Sequence, residues 1–244
     1  IAGFGAIDVT LAAGRVRLTR PGAWASGKAI ENEFYRVEAQ ENGALTVIYK
    51  PTGTRFKDVH YFLDESDRGD EYTYCPAERD KAWTSLTARS RARVGTAGPI
   101  VASLMVALKP ALPAGLSVSR DRRTWERRRL CPIYVEVRLL AGVDRVEFRT
   151  TVENNARDHR LRVVFPAPAG SEARAEGTYQ VIRRPFRPPE GTEGWIEQPT
   201  ATQPMQGAVG VGDLSVFTRG LPEYEAASED GGSRIAITLL RCVD

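Results

Sequence analysis

Hydrophobic and polar residues alternate along this chain over short runs that return about every ten positions. The clearest run is 133–140, where Tyr134, Glu136 and Arg138 fall on one face and Val135, Val137 and Leu139 on the other, the period-2 signature of a half-buried strand. Similar runs over 34–38 and 44–49 flank Glu41-Asn42-Gly43, and Asn-Gly accepts the positive φ that tight hairpins need. Further strands are expected over 55–63, 83–93, 100–108, 146–153, 161–165, 178–182, 207–211 and 214–217. One over 234–240 is nearly all apolar and therefore central. The prolines of 185–194 read as a surface loop. Ahead of these, 7–11 and 15–19 form a small N-terminal hairpin within 1–25, leaving 26–244 as the main domain. No long amphipathic helix is found. Many short strands without intervening helices predict an all-β chain folded as a large antiparallel β-sandwich.

Composition narrows the function classes. With 42% hydrophobic residues and a formal charge of +3, the chain can fill a core and has no need of a nucleic acid or an anionic membrane as partner. Three widely spaced cysteines, Cys75, Cys131 and Cys242, fit a reducing compartment better than a disulfide framework, so a cytoplasmic setting is expected. No run reaches the roughly 20 apolar residues of a membrane span. The start, Ile-Ala-Gly-Phe-Gly, has no initiator Met and reads as a piece excised from something longer.

The stretch richest in chemistry is the acidic loop 64–78, Asp64-Glu65-Ser66-Asp67-Arg68-Gly69-Asp70-Glu71-Tyr72-Thr73-Tyr74-Cys75-Pro76 and the two residues beyond. Its carboxylates cannot enter a core unpaired, so it is expected at a rim. Tyr72 and Tyr74 would share one face of a short strand, and Gly69 would let the loop fold back and present carboxylates and a phenol outward. Asp64, Asp67 and Asp70 suit calcium by oxygen content but not by EF-hand spacing; a pair of carboxylates could serve a glycosidase; a plain solvated turn is the simplest account. The two histidines, His60 and His159, show no zinc spacing, and each reads as a strand residue bonded to a neighbour. No Gly-x-Ser-x-Gly is present. The basic run 120–129, six arginines around Trp125, could track a nucleic-acid backbone, but Asp121 and Glu126 dilute it and a solvated edge strand or loop is expected.

Several stretches in register carry a resemblance. Ile30-Glu31-Asn32-Glu33-Phe34-Tyr35-Arg36-Val37-Glu38, with Gly43-Ala44-Leu45-Thr46-Val47 and Lys50-Pro51-Thr52-Gly53, is followed by Asp67-Arg68-Gly69-Asp70-Glu71-Tyr72-Thr73-Tyr74-Cys75-Pro76. Then come Val152-Glu153-Asn154-Asn155-Ala156-Arg157-Asp158-His159-Arg160-Leu161-Arg162, and Arg219-Gly220-Leu221-Pro222-Glu223-Tyr224-Glu225 ahead of Ile237-Thr238-Leu239-Leu240-Arg241. Together they resemble the C-terminal β-sandwich region of family 38 glycoside hydrolases, the α-mannosidase family, in its bacterial branch with mannosylglycerate hydrolases.

The resemblance implies a mutarotase-like supersandwich that braces a catalytic α/β barrel and a helical bundle of the same parent chain. The zinc and the Asp nucleophile of retaining hydrolysis would lie in those absent parts, leaving this chain inert alone. It also implies substrate-binding positions. Gly69-Asp70-Glu71-Tyr72 before Pro76 is similar to the segment that supplies a sugar-contacting tyrosine, which nominates Tyr72 and its neighbour Asp70. Phe217-Thr218-Arg219 is comparable to the segment that supplies an arginine, which nominates Arg219. The ordinary alternatives are Tyr72 packed at the rim and Arg219 paired with Glu223 or Glu225. A competing class is a free-standing carbohydrate-binding module in which Trp24, Trp83, Trp125 and Trp195 form a sugar-stacking face.

Overall fold

The computed structural model describes residues 22–196 and 199–243. The expected hairpin over 1–25 lies almost wholly outside them. Five strands open the described chain: β1 (Trp24–Ser26), β2 (Ala29–Glu31), β3 (Tyr35–Ala39), β4 (Leu45–Tyr49) and β5 (Thr54–Val59). They pair in sequence order as one antiparallel sheet. The β3–β4 hairpin turns at Asn42-Gly43 as the sequence predicts, with Gly43 at φ +87° and the Asn42 side chain accepting from Ala44 N.

The next strands are β6 (Tyr61–Ser66), β7 (Trp83–Thr84), β8 (Ser90–Ala97), β9 (Val101–Leu108), β10 (Ala111–Pro113), β11 (Arg128–Leu130), β12 (Ile133–Leu140) and β13 (Glu147–Val152). The chain closes with β14 (His159–Ala167), β15 (Glu172–Glu176), β16 (Val181–Pro185), β17 (Thr202–Pro204), β18 (Ala208–Val211), β19 (Leu214–Phe217), β20 (Glu223–Glu229) and β21 (Gly232–Cys242). They form a four-stranded sheet β13-β12-β9-β8, a six-stranded sheet β17-β20-β21-β14-β6-β7, a four-stranded sheet β16-β15-β18-β19 and the small pair β10-β11. One 3-10 turn, Ser85–Thr87, is the only helical element among the described residues. The all-β antiparallel sandwich is therefore what forms.

Its core is continuous across the four larger sheets, running from Ile30, Val37 and Leu45 through Leu104, Val106, Val135 and Val137 to Leu161, Val163, Ile235 and Ile237, and on to Ala175 and Val209. The nearly apolar β21 is central, between β20 and β14.

The structure departs from the sequence expectations at definite points. The single strand expected over 55–63 is two, broken at His60, whose φ of 63° carries the chain from the five-stranded sheet into the six-stranded one. A left-handed residue leaves no mark in a hydrophobic pattern. The strand expected over 83–93 is interrupted by the 3-10 turn, capped by Thr84. Strands β15 and β20 were missed because their inward residues are mostly alanine, Ala173, Ala175 and Ala226, which hardly raises the local hydrophobicity.

Candidate functional site

The six-stranded sheet ends where β6 leaves it, β14 and β20 enter it and β21 finishes. Strand alternation sorts β14 at this end. His159, Leu161 and Val163 face the core, and Arg160 and Arg162 face the other side. Both arginines are nonetheless only 2% exposed, so they must be paired. Glu65 bridges them, at 3.2 Å from Arg160 and 2.7 Å from Arg162; Glu225 holds Arg162 at 2.8 Å and Arg234 at 3.5 Å. The Tyr74 ring lies over Arg160, 3.4 Å from its guanidinium carbon, and burial, then Glu65, pushes that phenol up to about 12. Burial by itself would raise the Glu225 carboxyl, but Arg162, Arg160 and Arg234 together outweigh it and hold the group below its ordinary value.

The acidic loop leaves β6 at this end, and the protein consumes its first three carboxylates, Asp64, Glu65 and Asp67. Asp64 and Asp67 are fully buried. Asp67 accepts from Gly69 N at 3.0 Å and Cys75 N at 3.3 Å through one oxygen, and from Arg241 Nε at 2.7 Å through the other. Arg241 also donates to the Asp70 carbonyl at 2.7 Å, and Arg68 N to the Cys75 carbonyl at 2.8 Å, which closes the loop. Asp70 accepts from Thr73 N and Tyr72 N, at 2.6 and 2.9 Å, and these two bonds draw its carboxyl below the usual range. Gly69 is required by space: a Cβ there would sit 1.8 Å from the Thr73 carbonyl oxygen.

No strand forms over 67–82, so Tyr72 and Tyr74 do not share a strand face as the alternation suggested. The tight Asx-type turn at Asp70 separates them, sending Tyr74 onto Arg160 and leaving Tyr72 85% exposed. The loop does lie at a rim, and it presents outward the Tyr72 ring with the exposed carboxylates of Asp70, Glu71 and Glu78, while Asp64 and Asp67 turn inward.

Arg219 lies in the exposed turn between β19 and β20, which delivers the chain to Glu223 at the same end of the sheet. It makes no ion pair among the described residues. Glu223 and Glu225, its expected alternatives, are taken by Thr238 and by Arg162 and Arg234. The topology thus brings Asp70, Tyr72 and Arg219 to one end of the six-stranded sheet, with Arg241 and Arg160 between their strands.

The basic run is largely the solvated loop and edge strand expected of it, with Arg122, Arg127, Arg128 and Arg129 exposed, but Arg123 is an exception. Arg123, 2% exposed, enters between Asp64 and Asp80, bonding Asp64 and lying 2.8 Å from Asp80, and so latches the β10–β11 hairpin onto the sheet. Asp64 also meets His159 Nδ1 at 2.5 Å, while His159 Nε2 meets Asn154 Oδ1 at 3.0 Å. Arg123, Arg128 and Lys81 gather around the Trp125 ring. Sequence reasoning missed this latch because its partners are 43 to 95 positions apart.

The described residues do not suit a zinc ion. The carboxylate and imidazole that meet, Asp64 and His159, are committed to each other, to Arg123 and to Asn154, and no cluster of three or more His, Cys, Asp or Glu forms among the described residues. Of the four tryptophans, Trp24 and Trp195 are exposed and the other two are engaged by the protein. Trp83 packs against Leu112, Cys131 and Ala156, and Trp125 lies among its cations.

Comparison with known proteins bears on the whole chain. The model of the glycosyl hydrolases family 38 C-terminal domain matches residues 30–243. The chain belongs to that family. A protein of Halalkalibacterium halodurans named "Putative mannosylglycerate hydrolase" is 26% identical over 236 residues, which is 89% of this chain and 25% of that protein. An α-mannosidase from Enterococcus faecalis V583 superimposes with a TM-score of 0.83 at 29% identity, over 94% of this chain and 28% of its own. A second E. faecalis structure, a protein in glycosyl hydrolase family 38, gives 0.81 at 28% identity with the same coverage. The family 38 C-terminal domain thus spans about a quarter of the length of these relatives. No helix among the described residues is long and apolar enough to cross a membrane.

Proposed function

We propose that this family 38 C-terminal domain serves a retaining α-mannosidase-like glycoside hydrolase as a non-catalytic wall. In this reading the chain braces a catalytic barrel and helical bundle of the same parent protein, and the 64–78 loop closes one side of the sugar pocket. The observation that carries it is the pinned loop: Asp67 and Arg241 fix its backbone while Tyr72 is left 85% exposed. A rigid loop with a free phenol is built to meet something outside the domain.

Within the pocket, the Tyr72 hydroxyl and the Arg219 guanidinium orient sugar hydroxyls or a glycerate-type carboxylate, and Asp70, held ionised by its own loop, accepts from a hydroxyl. The acid and the nucleophile of hydrolysis, with any zinc, are supplied by the rest of the parent. A reducing, cytoplasmic setting accords with three unpaired thiols.

The test is Tyr72→Phe in the full-length protein, assayed with an aryl α-mannoside. Loss of one substrate hydrogen bond is expected to lower kcat/KM by about 5- to 100-fold at an unchanged Tm. An unchanged kcat/KM would remove the hydroxyl from the pocket.

A further inference from the structure

The β10–β11 hairpin and the 154–158 segment enclose an open groove of about 730 Å³ that no part of the reading above uses. Its size is that of a small-molecule site, typically 300–1,000 Å³. Its lining is polar, where the buried centre of a stable domain interface is mainly apolar. Arg127, Arg129, Thr124, Asn155 and Asp158 line it.

Strand alternation puts cations into this groove. Arg127 and Arg129 lie two apart and share one face, separated by about 7 Å along the backbone, while Arg128 between them turns to the Trp125 ring. The acids of the hairpin are already spent, Asp121 on Arg79 and Glu126 on Arg122. Arg127 and Arg129 make no ion pair among the described residues. Two guanidiniums converging on one face form a fork that suits an oxyanion.

Asp158 belongs to the wall of the groove: it is 8% exposed, accepts from Leu116 N through Oδ2 at 3.3 Å and is paired through Oδ1 with the Arg120 guanidinium at 3.1 Å. Thr124 and Asn155 are not available, because they already donate to the Gly115 and Leu130 carbonyls at 2.8 Å.

We infer that this groove binds a small ligand through an oxyanion, its carboxylate or phosphate held by Arg127 and Arg129. The site is separate from the Tyr72 loop and stands or falls independently of it.

Isothermal titration of the full-length protein at low salt, with glucuronate, glucose 6-phosphate, inorganic phosphate and mannose, tests the site and tells the two anion sources apart. Glucuronate, glucose 6-phosphate or both should saturate with a Kd of about 1 mM or tighter, inorganic phosphate should compete, and mannose should not. Arg127→Ser with Arg129→Ser should weaken binding at least about tenfold. Should that variant fail to fold, Arg127→Lys with Arg129→Lys keeps the charge but loses the fork, and a several-fold loss is expected. The inference is overturned if neither anionic sugar saturates, if mannose competes as well as phosphate does, or if the substitutions leave binding unchanged. It is equally overturned if the Ser variant lowers Tm without weakening the anions, because the groove would then be an internal docking face.

Discussion

His60 shows how one side chain can tie stability to pH in this fold. It is 3% exposed, stacks on Phe148 with centroids 4.4 Å apart, and lies 3.3 Å from Thr150 Oγ1. Burial holds its pKa down at about 3, against an ordinary 6.5. The folded pKa is depressed, so the unfolded chain takes up the proton first. Stability from this residue is complete above about pH 6.5 and is lost as pH falls from there toward 3, at about 1.4 kcal/mol per pH unit. Unfolding by urea at pH 7 and pH 5 should show wild type losing about 2 kcal/mol more than His60→Phe across that interval. Equal losses in both proteins would remove His60 as the source.

At the scale of the element, the loop between β6 and β7 and the strand β21 act together. Arg241 is the tie, since its two donors reach Asp67 and the Asp70 carbonyl across 174 and 171 positions of sequence. Arg241→Ala leaves Asp67 buried without its cation, at a cost of about 1–3 kcal/mol, and should release the loop before the sheet. Limited tryptic digestion should then cut after Arg68 many times faster than in wild type, while far-UV dichroism stays the same. An unchanged cutting rate would show that Gly69 and the Asp70 turn hold the loop without it.

Legibility in the sequence also divides by element. Hairpins with local turn chemistry, such as β3–β4 at Asn42-Gly43 and β12–β13, and strands with branched inward residues, such as β9 and β21, could be read directly. Alanine-lined β15 and β20 could not, nor could the break at His60, where the pattern continues while the backbone reverses hand. The acidic loop was recognisable as the place to look, through Gly69 and its flanking acids. That Asp64 and Asp67 turn inward could not be read, because Arg123, His159 and Arg241 meet them only after four strands have paired.

For the whole molecule, the family match runs over residues 30–243, and the chain spans about a quarter of its relatives' length. Its buried carboxylates, Asp64 and Asp67, are occupied by structural partners, and no group of three or more His, Cys, Asp or Glu that could hold a metal forms among the described residues. The chain by itself, given an aryl α-mannoside and zinc, is therefore expected to show no turnover above buffer. Measurable hydrolysis by these 244 residues would overturn the reading of a wall without chemistry.

The outer side of the six-stranded sheet has a further consequence for how the proposed wall would meet a neighbour. Arg160 and Arg162 are sealed there by Glu65, Glu225 and the Tyr74 ring, with Tyr61, Val164 and Ala236 buried beside them. A flank that has already neutralised its charges and roofed its apolar residues has little left to trade with a neighbour. On the proposed reading of a wall against a catalytic barrel, adhesion then falls to the open end of the sheet, much as a brick is mortared along its narrow edge.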